Sequence, residues 1–233
     1  GTGPQTLLFL GAVLFLGAGL IVTLVPATEG IDEIDLSPVR AFSWLRDVSL
    51  LRSDRYVGLV GALVAVATAT VLLADYLFKS TAAATLAPDR LGPFLGAFYA
   101  VQNALALVVQ LLLTGPLVRR LGVTTTLLLF PFLMAAGGLG VVFTGAFGAA
   151  VAVKATDGSL RHSLHRVTTE LLLLPLPSEI RDRAKRLLDT MLGRGTQAVT
   201  AGLIVGLSAL GMADTRTLGT IVAGLAIAWI GAA

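Results

Sequence analysis

Long apolar runs dominate this sequence and constrain its fold more than any other feature. A helix needs about 20 consecutive, mostly apolar residues to cross the hydrocarbon core of a bilayer. Several runs reach this length, and only 13% of the 233 residues are charged, against about 25% in soluble domains. Because a bilayer offers no water to backbone polar groups, continuous runs of this kind satisfy those groups as helices. We therefore expect an all-α, polytopic transmembrane helical bundle.

The apolar runs give about seven candidate spans. They are residues 5–26, 56–87, 93–116, 122–143, 145–170, 196–212 and 215–233. We expect a transmembrane helix of a preceding half (1–26), a cytoplasmic connector (27–54) and a six-helix bundle (55–233) with an amphipathic interfacial helix (178–192). The chain begins without a methionine and stops inside an apolar run, so we expect a fragment of a longer protein.

Basic residues mark the side of the membrane that we expect to be cytoplasmic. With the connector inside, alternation of the spans puts Arg119, Arg120 and the basic residues between 161 and 194 on that same side. This asymmetry follows the positive-inside rule. It accounts for the sequence pI of about 9.7 without a nucleic-acid partner, so the lipid bilayer is the partner that the composition predicts.

The segment GSLRHSLHRVTTELLLLPLP carries more charge than a membrane span tolerates. At 100° per residue, Lys154, Asp157, Arg161, His165 and Thr168 fall on one narrow face of a helix. Ionised groups within a bilayer face protein or a water-filled cavity rather than lipid. We expect this face to line a cavity. Two cations with only Asp157 beside them leave an excess of positive charge that suits an anionic ligand.

Other predicted spans carry milder polar stripes. Asp75 and Lys79 form an i,i+4 pair in the second span, which is either a structural pair or a gate latch. Tyr99 and Asn103 align with Gln110 in the third span, either at a ligand or as hydrogen-bonding contacts between helices. Polar helices that alternate with plain ones indicate a central cavity, lined by some helices and braced by others.

The sequence offers little for catalysis or metal binding. It has no cysteine and two histidines, and His162 and His165, although spaced as HxxH, come with no third metal ligand. No nucleophile and base stand out as a pair. We expect this protein not to be an enzyme and to use neither a metal nor a cofactor.

Two stretches resemble a motif of the bacterial and plastid ATP/ADP translocases, the non-mitochondrial nucleotide transporters. Where that family has K-Y-S-L-F-D-P-T-K-E-M-A-Y-I-P-L, this chain reads RHSLHRVTTELLLLPL, followed by SEIRDRAKRLLDTMLGRG. Arg161 stands at the first Lys of the motif, and further matches are Ser163, Leu164, Thr168, Glu170, Pro175, Leu176, Lys185, Asp189, Gly193 and Arg194. The segment His165-Arg166-Val167 replaces the Phe-Asp-Pro of the family, and Thr169 replaces its second Lys.

This resemblance implies a major facilitator-like transporter of a bacterial inner membrane. Members have twelve spans, so about seven spans here are similar to helices 6 to 12, and the missing N-terminal half of the same protein becomes a partner. The resemblance also implies ATP binding and ATP/ADP antiport, or transport of another anionic small molecule, by alternating access.

The same resemblance implies roles for individual residues. Lys154 and Arg161, beside Asp157, are expected to meet phosphates. Asp75 and Lys79 are expected at the outer gate, and the remaining two candidates, Asn103 and Tyr99, near the base or the sugar.

The altered motif keeps a second function open. A scaffold or sensor subunit that derives from a transporter fold, and that no longer transports, would retain the spans and lose the ligand contacts. Stabilisation of the purified protein by nucleotides separates the two hypotheses, because a scaffold has no reason to respond.

Overall fold

The computed structural model describes residues 54–161 and 166–232, together with Val13, Leu16 and Leu51; of residues 123 and 166–169 it describes the backbone alone. Most of the predicted first span and connector, residues 1–54, therefore lies outside the described residues. His162 and His165 lie outside them as well.

Every element in the described ranges is helical. In chain order these are α1 (Arg55–Thr85), α2 (Pro88–Val108), the π-helical segment π1 (Val109–Leu113), α3 (Thr114–Thr144), α4 (Phe147–Leu160), α5 (Arg166–Leu173), α6 (Ser178–Arg186), the π-helical segment π2 (Leu187–Leu192), α7 (Gly193–Ala209) and α8 (Thr215–Ala232). The expected all-α class is confirmed for the part of the chain that these elements cover.

Four helical stretches are long and apolar enough to cross a membrane: Arg55–Thr85, Pro88–Gly122, Thr124–Thr144 and Thr215–Ala232. The second and third stretches are separated at Gly122, which has φ 77° and ψ 171°. Glycine adopts this backbone conformation without strain, whereas residues with a Cβ atom do not. The 14 residues of α4 are shorter than a full span, and the 17 residues of α7 are the last part of a longer helix that includes α6 and π2. The chain is thus a helical membrane protein, while the seven-span, major facilitator-like arrangement stays a prediction.

Helix α1 is the centre of the described bundle. It packs against α8, α4 and α7, and α8 and α4 also pack against α3. The largest buried side chains lie where these helices meet, and the ring of Phe130 stands edge-on to that of Trp229 with centroids 5.1 Å apart. Polar pairs add to this packing, since the hydroxyls of Tyr76 and Ser208 lie 2.9 Å apart between α1 and α7.

The apolar face of α6 is covered by protein. Ala184 of α6 and Leu188 of π2 are buried in a small core with Val57 and Val60 of α1 and Leu173 of α5. The helix continues through π2 into α7 without a non-helical residue at either joint. Part of the apolar face over 178–192 therefore packs against the N-terminal end of α1, and the interfacial location of this helix stays a prediction.

Helices α3 and α8 approach closely because glycines face the contact. A Cβ atom added to Gly138 would lie 2.9 Å from the backbone nitrogen of Ala223, and one added to Gly219 would lie 2.8 Å from the side chain of Val141. Small residues at such contacts allow backbones in a membrane to approach and gain van der Waals packing.

We predict that Gly219→Leu destabilises the bundle by about 1–3 kcal/mol, the usual cost of overpacking a filled contact. The measurement is thermal unfolding of the purified protein in detergent. Gly224→Leu is the matched control on the same helix, because a Cβ atom there meets nothing within 4 Å. Equal melting temperatures for the two variants would contradict the close α3–α8 packing.

The start of α8 is stabilised by Asp214. Its carboxylate accepts hydrogen bonds from the backbone N–H groups of Arg216 and Thr217, both at 3.1 Å, and from the Thr217 hydroxyl. These bonds satisfy N–H groups that have no partner within the helix. The hydroxyl and backbone donors of Thr217 lower the pKa of Asp214 below its ordinary value, because they favour the charged form.

A lowered pKa makes the ionised carboxylate a source of stability above the ordinary aspartate range, and this contribution disappears as the pH falls through the lowered pKa. We predict that Asp214→Ala lowers the melting temperature at pH 7 and that its difference from wild type narrows at acid pH. Asp214→Asn keeps an acceptor without the charge, so it should lose less stability than the alanine variant at pH 7. Its difference from wild type should narrow at acid pH as well, because the wild-type carboxylate is the group that titrates. A pH-independent gap for the alanine variant would show that the ionised form has no special role.

Candidate functional site

Charged side chains of α1 and α4 meet in one cluster within the bundle. The Lys154 Nζ lies 2.8 Å from an oxygen of Asp75 on α1 and 2.8 Å from an oxygen of Asp157 on its own helix. Asp75 also pairs with Lys79 one turn further along α1, with 2.7 Å between nitrogen and oxygen. The i,i+3 and i,i+4 spacings within each helix place these partners on one face, and the packing of α1 on α4 joins the two faces.

Burial makes these contacts important to the fold. The side chains of Lys154 and Asp157 are 6% and 0% exposed, and an unpaired charge at such a site is far more costly than a paired one. The expectation from α4 alone was a surplus of positive charge beside Asp157. The Asp75 carboxylate pairs with Lys154 across the helix contact, but it is also paired with Lys79. The cluster therefore keeps one positive charge in excess.

Arg161 stands at the end of α4, where its Nε lies 3.6 Å from an oxygen of Asp157. Its side chain is 38% exposed, in contrast to the buried Lys154. The guanidinium therefore extends the cluster from the buried ion pairs towards open space. Such a group suits an anion because its planar donors match carboxylate and phosphate oxygens.

A cavity of about 380 Å³ lies against this cluster. It is lined by Ala67, Thr68, Val71, Leu72, Asp75, Lys154, Arg161 and Gln197, from α1, α4 and α7 and the residue that follows α4. The volume falls in the range of small-molecule sites, which combine apolar walls with a few converging polar groups. The cavity can hold a small organic or inorganic anion with its negative group near the two cations.

Three of the predicted site residues line this cavity, and two others form ion pairs with the lining residues. Asp75, Lys154 and Arg161 contribute to the wall, whereas Asp157 and Lys79 hold those residues through ion pairs. From the sequence, Asp75 and Lys79 are either a structural pair or a gate latch, and the resemblance implies an outer gate. In the structure they belong to the same cluster as the α4 residues.

Asn103 and Tyr99 are not among the residues that line the cavity. Asn103 is exposed on α2, and the Tyr99 ring packs edge-on against Phe78 and Phe98, with centroids 6.4 and 5.6 Å away. The neighbouring Gln102 is the buried polar residue of that helix. The expected contact of Asn103 and Tyr99 with a base or sugar gains no support from this placement.

Sequence reasoning did not assign Thr68 and Gln197 to the site, although both line the cavity. Thr68 lies on the same face of α1 as Asp75, two turns earlier, so helical periodicity carried a usable signal for it. Gln197 falls on a polar stripe of α7 with Thr200 and Ser208, but the packing of α7 on α1 that brings this stripe to the cavity is not encoded by any local pattern.

The described residues contain no group of three or more His, Cys, Asp or Glu side chains that could hold a metal ion. A scan against models of protein families, a search of curated proteins and a search of solved structures each found no match to this chain. The geometry of the cluster and cavity is therefore the basis for a functional assignment.

We predict that Lys154→Gln destabilises the protein by about 3–5 kcal/mol, the usual cost of removing one partner from a buried ion pair. The substitution leaves Asp75 and Asp157 without their shared cation. Unfolding in detergent measures the loss, and Lys185→Gln on the exposed side of α6 is the matched control.

The double variant Lys154→Gln, Asp157→Asn should recover much of the lost stability, since it also removes the fully buried carboxylate charge. If Lys154→Gln and the control Lys185→Gln have the same melting temperature, the buried ion pairs do not hold α4 on α1.

Proposed function

We propose that this chain is part of a membrane transport protein that binds a small anion in the cavity between α1, α4 and α7. The observation that carries the proposal is the cavity wall itself, in which Lys154 and Arg161 stand together within a membrane bundle. Ionisable residues are costly at such positions, and in membrane proteins they mark substrate and ion pathways.

The link between Asp75 and Lys154 supports a transport role. This ion pair joins α1 to α4 next to the cavity, so an anion that competes for Lys154 would weaken the contact between the two helices. Alternating access needs a coupling of this kind, in which ligand contacts change the packing of one helix group on another.

Nucleotides are the first candidates for the anion, on the strength of the resemblance around Arg161 to the ATP/ADP translocases. Inorganic phosphate and other small anions follow, because the guanidinium and ammonium groups recognise the charged oxygens and not the base. An inner-membrane location and alternating access with a second helical half belong to the same proposal.

A scaffold or sensor that no longer transports is the second candidate. The pairing of Lys154 with two carboxylates favours it, because a fully satisfied cation can serve stability alone. Binding of an anion separates the two candidates, since the scaffold has no need of it.

The first test is uptake of labelled ATP and ADP by proteoliposomes that contain the full-length protein. We expect saturable exchange, and we expect Arg161→Ala to reduce it by about tenfold or more, the loss that follows from one charge-assisted hydrogen bond. Arg186→Ala is the control, because Arg186 is an exposed arginine of α6 outside the cavity wall.

Two outcomes would overturn the nucleotide assignment. One is the absence of exchange from protein shown to be folded and inserted, and the other is equal exchange by wild type and Arg161→Ala. If labelled phosphate is exchanged instead and depends on Arg161, anion transport stands with a different substrate.

A further inference from the structure

Helix α2 is attached to the bundle differently from its neighbours. Of its residues, all of which the structure describes, Gln102 alone is buried. The main partner of α2 in the bundle is α4, and near its N-terminal half Phe94 packs against Phe147 with ring centroids 5.5 Å apart. Aromatic contacts with Phe78 of α1 and Phe147 of α4 thus attach the N-terminal half of α2, and Gln102 is the polar contact that attaches the turn beyond them.

That side chain reaches the backbone of the site. The Gln102 Nε2 donates a hydrogen bond of 2.6 Å to the carbonyl oxygen of Lys154. A carbonyl oxygen has two lone pairs, so it can accept this bond in addition to the helical bond from the residue four positions on. Lys154 is held at two points, by Gln102 of α2 at its backbone and by Asp75 of α1 at its ammonium group.

Gly158 provides the space for this contact. A Cβ atom built at Gly158 would lie 1.7 Å from the Gln102 Nε2 and 2.0 Å from its Cδ. Any side chain at this position would push the amide away from the Lys154 carbonyl. The bond is therefore made on the turn of α4 that carries the buried pair of Lys154 and Asp157.

We propose that Gln102 is a positioning residue for the Lys154 cavity, and that its bond through the Gly158 gap couples the position of α2 to the charge that faces the ligand. In a bilayer no water replaces a broken bond of this kind, so α2 and this turn of α4 move together. The ligand part of the statement rests on the proposed function, whereas the coupling of α2 to Lys154 does not.

These 233 residues contain no cysteine, which allows a single reporter thiol among them. Thr68→Cys places that thiol on the cavity wall. The measured quantity is the ratio of its modification rates by a negatively charged and a positively charged methanethiosulfonate reagent, in purified protein. A general loosening of the helix packing raises both modification rates alike. A displaced Lys154 changes their ratio, because its charge attracts one reagent and repels the other. A shift of about 2 Å in a nearby unit charge alters it about fivefold.

Gln102→Met is the main variant, because it keeps the length of the side chain and removes the donor. We expect it to change the ratio about fivefold, and we expect Gly158→Ala to do the same by displacing the Gln102 amide. Adding Gln102→Ala to Gly158→Ala should produce no further change, because the bond is already lost. Gln110→Met, an exposed glutamine of π1, is the control, and Arg161→Ala calibrates the assay.

A ratio within twofold of wild type in both Gln102→Met and Gly158→Ala would overturn the proposal. If Gln102→Met fails to fold, the comparison of Gly158→Ala with its double variant decides, since a role for Gln102 requires equal ratios that differ from wild type. A changed ratio in a protein that exchanges no anion would retain the positioning role and refute the transport function. Unchanged modification ratios in a protein that does exchange anions would refute the positioning role of Gln102 and retain the transport function.

Discussion

The ion pairs of Lys154 are the interaction on which the rest of the bundle depends. A buried ammonium group within a membrane protein requires counter-charges at hydrogen-bond distance. Asp157 supplies one from the same helix and Asp75 supplies the other from α1. Because one of these partners lies on another helix, the electrostatic requirement of a single residue fixes how α4 sits on α1. The cavity wall follows from that arrangement.

Hydropathy predicted the helices better than it predicted their contacts. The spans around α1 and α8 follow from unbroken apolar runs, and the Asp75–Lys79 and Lys154–Asp157 pairs follow from helical spacing. The meeting of these two pairs could not be predicted, because periodicity defines a face of one helix and says nothing about the face that it packs against. The amphipathic pattern over 178–192 shows the same limit, since lipid and a neighbouring helix favour the same apolar face.

The residues on α2 illustrate a second limit. Asn103 and Gln102 are adjacent and chemically alike, and the helical stripe with Tyr99 favoured Asn103. The structure buries Gln102 instead, because the space that accepts its amide is created by Gly158 on another helix. The lack of a side chain at Gly158 on α4 determines which amide of α2 can be buried, and the α2 sequence does not contain this information.

The pairing of Asp75 with Lys79 has a consequence for the order of synthesis. A chain is made from its N-terminus, so α1 is complete well before the ribosome reaches Lys154. During that interval the carboxylate of Asp75 already has a cation one turn away on its own helix. Lys79 thus gives the one carboxylate of α1 a partner while that helix enters the membrane, and Lys154 joins this pair later. A residue that looks redundant in the finished bundle protects the helix during its insertion.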